Sequence, residues 1–407
     1  MKIRSLTCFF NPKHSNPAQI LPEFVRFVHK ASSLFEAAGY PVQTKRLATT
    51  PFPQLLQELT EKKAVSLARQ METAAREHGF EFLSLGPADP NSLSAYRLIP
   101  AMLTATEISF FSGIMADGQN GINLPAVRAC AEIIHQAAPI TPDGFANLRF
   151  TALGNVPAFV PFFPAAYHQG EVPAFALAIE CADVVVSAFQ HAGSLQQARD
   201  NLINTLNQHA KKLAQITESL SREFQLDFKG FDFSPAPFPS EDCSLGKGIE
   251  LLGPPRIGSL GSVSAAAFVA EALDRGSWQR SGFNGLMLPV LEDATLAQRS
   301  IDGSLTLKDL LLFSTVCGTG LDTVPLPGSA TPQQLAAVLL DVAVLSVRLA
   351  KPLTARLMPI PGKQAGDPTN FNFDYFKNGQ ILDLPAFSLD GLFNGDETFL
   401  LNPRWTY

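Results

Sequence analysis

Apolar runs of strand length alternate with amphipathic runs of helix length along almost all of this 407-residue chain. That alternation restricts the available folds more than any other feature, because strands separated by helices form a parallel or mixed sheet covered by helices. IRSLTCFF (Ile3 to Phe10) opens the series as a buried strand, and an amphipathic helix from about Ala18 to Ala38 follows, ended by Gly39. PVQTKRLATTPF and FEFLSLGP read as the second and third strands, with a helix between them. ISFFSGIMA and LRFTALGNVP read as the fourth and fifth, flanking the helix GINLPAVRACAEIIHQAA. The rhythm pauses at PAFVPFFPAAYHQGEVP, a Pro- and Phe-rich joint, and then resumes. PAFALAIE, LDFKGFDFSPAPFP, GLMLPVLED, LDTVPLPG and LTARLMPIPG bring the count to about ten strands. So many units suggest either a closed barrel or two joined half-sheets.

The expected organisation is therefore a first half over about 1–157, a joint over about 157–173 and a second half over about 174–363. An irregular tail over about 364–407 completes one large domain. Hydrophobic residues make up 46% of the chain and charged residues 17%, enough apolar surface for a substantial core. The 31 phenylalanines against 5 tyrosines and 2 tryptophans point to dry core filling. A net charge of -6 without blocks of like charge argues against nucleic acid or an anionic membrane as partner, and favours a small molecule. Cys8, Cys130, Cys181, Cys243 and Cys317 are scattered and odd in number, as expected of a reducing, cytosolic compartment. No run approaches the roughly 20 apolar residues of a membrane span, and the N-terminus lacks a signal pattern. The apolar content is compatible with a homo-oligomer, but no interface is legible.

Polar and backbone-special residues follow several strand ends, where parallel α/β sheets bind ligands. ADGQNGINLPAV offers Asn120 in a turn and Asn123 as the cap of a helix whose N-terminus favours an anion, although an ordinary turn and cap explains both. Asp232 and Ser234 lie in an extended segment before two prolines, and Gly246-Lys247-Gly248 is a weak anion cradle without the P-loop frame. Ser259 and Ser262, in GSLGS before a helix, form a second candidate cradle. Lys363 and Asp367 share a Gly/Pro-bounded loop in which the lysine can hold a carboxylate or phosphate.

TVCGTGLDTVPLPG combines Cys317, Gly318, Gly320 and Asp322 at a helix-to-strand junction, where the glycines allow positive φ and close approach. Cys317 or Asp322 would serve as nucleophile or base, yet the thiol lies at the unfavourable C-terminal end of a helix and a buried core cysteine is the simpler reading. The histidines show no paired metal spacing. Asp117, Asp232, Asp293 and Asp322 could gather a divalent cation only if the fold brings them together.

The succession GINLPAV, FDFSPAPFP, GSLGS, FNGLMLPVLED, TVCGTGLDTVPLPG and RLMPIPGKQAGD resembles the domain-of-unknown-function 711 family, over nearly the whole chain. The resemblance implies a ten-stranded, pyruvate-formate-lyase-like α/β barrel of two five-stranded halves with helices outside. It brings no activity with it. Glycyl radical enzymes of this barrel class use a cysteine inside the barrel and an Arg-Val-x-Gly-aromatic loop. Cys317 is the one match to the first feature, and SLDGLFNGDETF lacks the lead of the second, so no glycyl radical is expected. The expected function is an enzyme acting on a small anionic metabolite, with a non-catalytic metabolite-binding or regulatory protein as the alternative.

Overall fold

The computed structural model describes residues 1–404. Its strands are β1 (Lys2–Phe10), β2 (Lys45–Thr49), β3 (Phe82–Ala88), β4 (Ser109–Asp117), β5 (Gly121–Asn123), β6 (Phe150–Gly154), β7 (Ala174–Glu180), β8 (Asp227–Ala236), β9 (Gly320–Pro327), β10 (Leu353–Ile360) and β11 (Thr398–Phe399). They form one mixed sheet in the order β8-β7-β1-β2-β3-β4-β6-β10-β9, with β5 on the end of β4 and β11 on β5. Within the first half, β1, β2, β3, β4 and β6 are parallel. In the second half β7 is parallel to β8, and β9 to β10. The halves meet antiparallel, through β1 against β7 and β6 against β10. The carboxyl ends of first-half strands therefore share an end of the sheet with the amino ends of second-half strands.

The expected strand GLMLPVLED does not join the ladder as a strand. Its region makes single parallel bridges, Arg280 to Phe231 of β8 and Pro289 to Asp322 of β9. The ladder is thus open between β8 and β9, and one extended segment spans from either edge to the other. Three prolines and glycines in SGFNGLMLP interrupt regular pairing there, since proline lacks the N–H a ladder needs.

The period-2 alternation of each strand separates an outer core from an inner one. Leu6, Cys8 and Phe10 of β1 pack into the large cluster that holds Phe24 and Phe27 of the helix Pro17–Ala37. Phe9, one residue out of phase, joins Ala48, Phe110, Phe163 and Ala166 on the opposite face. Asn16 starts that helix by accepting from Ala18 N at 3.0 Å, with Pro17 in the first turn, where its missing N–H costs nothing. Thr331 and Gln334 form a reciprocal capping box for the helix Pro332–Arg348.

Inside, the Pro/Phe-rich joint threads along the inner face of the sheet. Ser5 Oγ donates to Pro161 O at 3.0 Å, Ser84 Oγ to Ala166 O at 2.6 Å, and His168 N to Thr49 O at 2.9 Å. Inward-facing hydroxyls thus satisfy a segment without secondary structure of its own. The tail packs Phe371 and Phe376 with Leu148, Leu291, Met358 and Ile360, across the carboxyl end of β10. All five cysteines are unpaired and buried, and among the described residues no helix is long and apolar enough to cross a membrane.

Candidate functional site

The strongest candidate is a cavity on the inner face, at the amino ends of the first-half strands and the carboxyl ends of β7 and β8. About 70 Å³ of it admits the centre of a water molecule. Arg4 of β1, Thr44 and Arg46 at the start of β2, Phe82 of β3 and Phe110 of β4 form one wall. Ala178 and Ile179 of β7, Asp232 and Ser234 of β8, Met287, Glu292 and Arg356 of β10 form another. Phe162 and Phe163 of the joint and Phe373 and Tyr375 of the tail close it. A bulge aims Arg4 here: the β1/β7 register passes from Ile3 opposite Ile179 to Ser5 opposite Ala178, leaving Arg4 as the extra residue.

Two of the three arginines are tied into a buried network. Arg4 Nη2 meets Glu292 Oε2 at 2.6 Å and its Nη1 meets Glu180 Oε2 at 3.3 Å. Arg356 Nη2 meets Glu292 Oε1 at 3.1 Å and its Nε meets Asp322 Oδ1 at 2.5 Å. Glu292 therefore bridges two guanidiniums, one through each oxygen. Asp322 is 0% exposed and its Oδ2 has no hydrogen-bonding partner. Burial pushes its carboxyl above the ordinary range, although Arg356 pulls the other way.

Arg46 is different. Its Nε donates to Thr44 Oγ1 at 2.9 Å, and its guanidinium lies 5.4 Å from the centre of the Phe82 ring and 5.2 Å from that of Phe163. Among the described residues no carboxylate forms an ion pair with it. Burial lowers its pKa to about 9, and repulsion from Arg4 and Arg356 adds to this against the attraction of Glu292. It is a cation short of a counter-charge on a cavity wall, which an anion would relieve.

Among the residues singled out in the sequence, Asp232 and Ser234 reach this cavity. The Asp232 carboxylate accepts from Ser234 N at 2.9 Å, Ser234 Oγ at 2.6 Å, Asn284 N at 3.0 Å and Phe283 N at 3.0 Å. Burial raises its pKa against these bonds. Gly282, at φ 81, makes room for them, since a Cβ there would run into the Asp232 carboxylate. Asp322 touches the site through Arg356.

The other candidates lie elsewhere. Asn120, exposed, donates to Asp117 Oδ2 at 2.8 Å; Asn123 caps its helix through Ala126 N at 2.8 Å, at the opposite end of the sheet. Ser259 Oγ donates to Arg256 O at 2.6 Å, and Ser262 Oγ accepts from Gly258 N at 3.2 Å, so both hydroxyls hold their own loop. Gly246-Lys247-Gly248 is helical, within Leu245–Glu250. Lys363 and Asp367 follow the carboxyl end of β10, whereas Asp322 sits near the amino end of the parallel β9. Asp367 accepts from Gln364 N at 2.7 Å and closes the loop. Gly320 has φ 98 as expected, but what approaches it is the backbone of Thr354 in β10.

Cys317 is buried. Its sulfur lies 2.5 Å from Leu286 N and 3.2 Å from Leu286 O, and burial pushes the thiol up to about 11. Asp293 caps the helix Ala294–Ile301, and Asp117 accepts from the Gln119 and Asn120 N–H groups of its own turn. Among the described residues no three His, Cys, Asp or Glu side chains stand together as metal ligands.

Arg4, Arg46, Arg356 and Glu180 were not among the sequence candidates. A signal existed: IRSL, KRLAT and TARLM each place one arginine inside an otherwise apolar strand. Such a charge must either emerge at the surface or be met by a partner inside.

Relatives with sequences similar to this chain carry the designation UPF0210 protein. One from Pyrobaculum aerophilum is 33% identical over 346 residues, which span 81% of this chain and 76% of the relative. Another, from Methanosarcina acetivorans, is 28% identical over 396 residues, spanning 91% and 83%. A third, from Neisseria gonorrhoeae, is 27% identical over 360 residues, spanning 84% and 79%. A family model described as uncharacterised ACR (DUF711) matches residues 1–374, β1 to β10 together with the tail as far as Phe373 beside the cavity, and the chain belongs to that family.

Proposed function

We propose that this protein binds a small anionic metabolite in the inner cavity, with Arg46 as the group that holds its charge. The observation that carries the reading is the Arg46 guanidinium, which lines the cavity over the Phe82 and Phe163 rings without a carboxylate partner among the described residues. Arg4 and Arg356 stand behind it, already neutralised by Glu180, Glu292 and Asp322. Lys363, Asp367, Asn120, Asn123, Ser259 and Ser262 have no part in this site. Catalysis is the second reading, favoured by Asp322: a buried carboxyl with raised pKa and an unpartnered oxygen can hold a proton at Oδ2. Cys317, hydrogen-bonded and protonated, is no activated nucleophile in it.

We also infer that the segment from Arg280 to Pro289 serves as the tenth stave of a closed barrel within one domain. Its single bridges to β8 and β9, the two edges of the ladder, support this. Five unpaired, buried thiols support a cytosolic location.

Thermal unfolding against small carboxylates, inorganic phosphate and sulfate tests the binding reading, since a ligand at 100 times its dissociation constant adds about 2.7 kcal/mol. Stabilisation that Arg46→Gln removes and Lys363→Ala keeps is expected. The reverse pattern would move the site to the loop after β10, and no stabilisation by any anion would end the reading.

A further inference from the structure

We propose that the anion bound in this cavity is a monocarboxylate carried on a flat aromatic or apolar body, rather than a phosphate, a dicarboxylate or a hydroxylated acid. This rests on the reading of Arg46 as the anion-binding group and specifies what is attached to the charge.

Charge counting selects a single negative charge. Arg46 is the one lining cation without a carboxylate partner among the described residues, and Glu292 lines the other wall with both oxygens committed to Arg4 and Arg356. One carboxylate neutralises Arg46. A second negative charge would meet no unpaired cation among the described lining residues and would face the Glu292 and Asp232 carboxyl groups at low dielectric, where like charges repel strongly.

The rest of the wall selects the body. The Arg46 guanidinium lies over both the Phe82 and the Phe163 ring, 5.4 and 5.2 Å from their centres, so a carboxylate that reaches it lies beside two rings. Phe110 stands edge-on to both of them, with centroids 5.2 Å from Phe82 and 5.5 Å from Phe163. This fixed set of ring faces and edges matches the offset and T-shaped contacts that an aryl group prefers.

Apart from the Tyr375 hydroxyl, the wall offers a polyhydroxylated acid little to bond, because its other hydroxyls and the Asp232 carboxylate are already committed. Ser234 Oγ donates to Asp232 and accepts from Gly285 N at 3.1 Å, and Thr44 Oγ1 accepts from Arg46 and donates to Arg4 O at 2.7 Å. Asp232 already accepts four hydrogen bonds. Each ligand hydroxyl left unpaired against such a wall lowers affinity roughly tenfold or more.

Isothermal titration calorimetry of the full chain with four probes separates the possibilities: benzoate, acetate, inorganic phosphate and benzyl alcohol. Benzoate is expected to bind at least about tenfold more tightly than each of the others, and Arg46→Gln, checked for an unchanged circular dichroism spectrum, is expected to abolish that preference over benzyl alcohol. Phe163→Leu should narrow the benzoate-over-acetate ratio while acetate affinity stays within about twofold. If acetate or phosphate binds as tightly as benzoate and Arg46→Gln removes that binding, the anion site stands and the aromatic body is refuted. If benzyl alcohol equals benzoate in the unaltered protein, the anion reading falls and the proposal with it, and if none of the four binds, both the body and the anion reading fall. The comparison among probes uses the unaltered protein, so a variant that fails to fold does not weaken it.

Discussion

Arg356 meets Asp322 where β9 bulges against β10, Nε to Oδ1 at 2.5 Å. The register steps from Ala355 opposite Leu321 to Leu357 opposite Val324, so Arg356 faces two residues, Asp322 and Thr323. Thr323 takes φ 41, a conformation a β-branched residue rarely adopts, and the bulge leaves the Asp322 carboxylate against the guanidinium. Neither side chain is more than 5% exposed, so the pair is held by the fold rather than by solvent.

Removing one partner of this pair should cost more than removing both. Arg356→Met strands two carboxylates, Asp322 and one oxygen of Glu292, and is expected to lower stability by about 3 to 5 kcal/mol. Adding Asp322→Leu should restore part of that loss. Urea unfolding of the two single variants and the double variant measures the coupling, and additive losses would show that the pair does not act as a unit.

His168 should make the protein sensitive to acid. It is 0% exposed and neither ring nitrogen has a hydrogen-bonding partner. Burial lowers its pKa from 6.5 to about 4, with Lys229 adding repulsion and the Gly170 backbone acting the other way. A lowered folded-state pKa means that the unfolded chain binds the extra proton, so this contribution is whole above pH 6.5 and is lost as pH falls towards 4. The full effect is about 3 kcal/mol. The raised pKa values of Asp232, Asp293 and Asp322 work in the opposite sense, favouring the fold below 3.8 and losing that contribution as pH rises. Unfolding free energies measured from pH 4 to 7 should therefore show a slope that His168→Phe flattens, and an unchanged slope would assign the acid sensitivity to other groups.

Gly282→Ala should cost more than Gly303→Ala. Gly282 combines φ 81 with a carboxylate in the path of any Cβ, whereas Gly303, at φ 72, has nothing within 4 Å. The strain of a left-handed residue alone is about 1 to 2 kcal/mol, and the overpacking at Gly282 adds about 1 to 3. Chemical denaturation should separate the two variants by at least about 1 kcal/mol.

Cys317 should react slowly. With its thiol at about 11, roughly one part in a thousand is thiolate at pH 8. Native protein is expected to consume a thiol reagent about 100-fold more slowly at this position than the unfolded chain does. Cys317→Ala should leave anion-induced stabilisation intact. Fast labelling of native Cys317, located by peptide mapping, would return it to the list of nucleophiles.

The sequence told much of the fold and less of the site. Strand-length apolar runs such as IRSLTCFF and LTARLMPI have no other way to bury both faces than a helix-covered sheet, and all the expected strands but GLMLPVLED appear in the ladder. That one carries Gly285 and Pro289, which deny it regular pairing, a fact its apolar composition masked. Candidates drawn from strand ends assumed that all carboxyl ends point the same way. The antiparallel meeting of β1 with β7 and of β6 with β10 places Asn120 and Asn123 at one end of the sheet and Lys363 at the other.

What the amino-acid sequence determined by itself was periodicity: which residues face helices, which face inward, and where helices start and stop, because those depend on neighbours a few positions away. Only the tertiary structure decided which inward residues meet. Arg4, Arg46, Glu292, Asp322 and Arg356 come from five distant stretches, and their partners follow from strand order and two β-bulges rather than from local spacing. Arg46 illustrates the limit: in sequence it is one arginine in KRLAT, and only the lack of an ion-paired carboxylate among the described residues makes it the group an anion would seek.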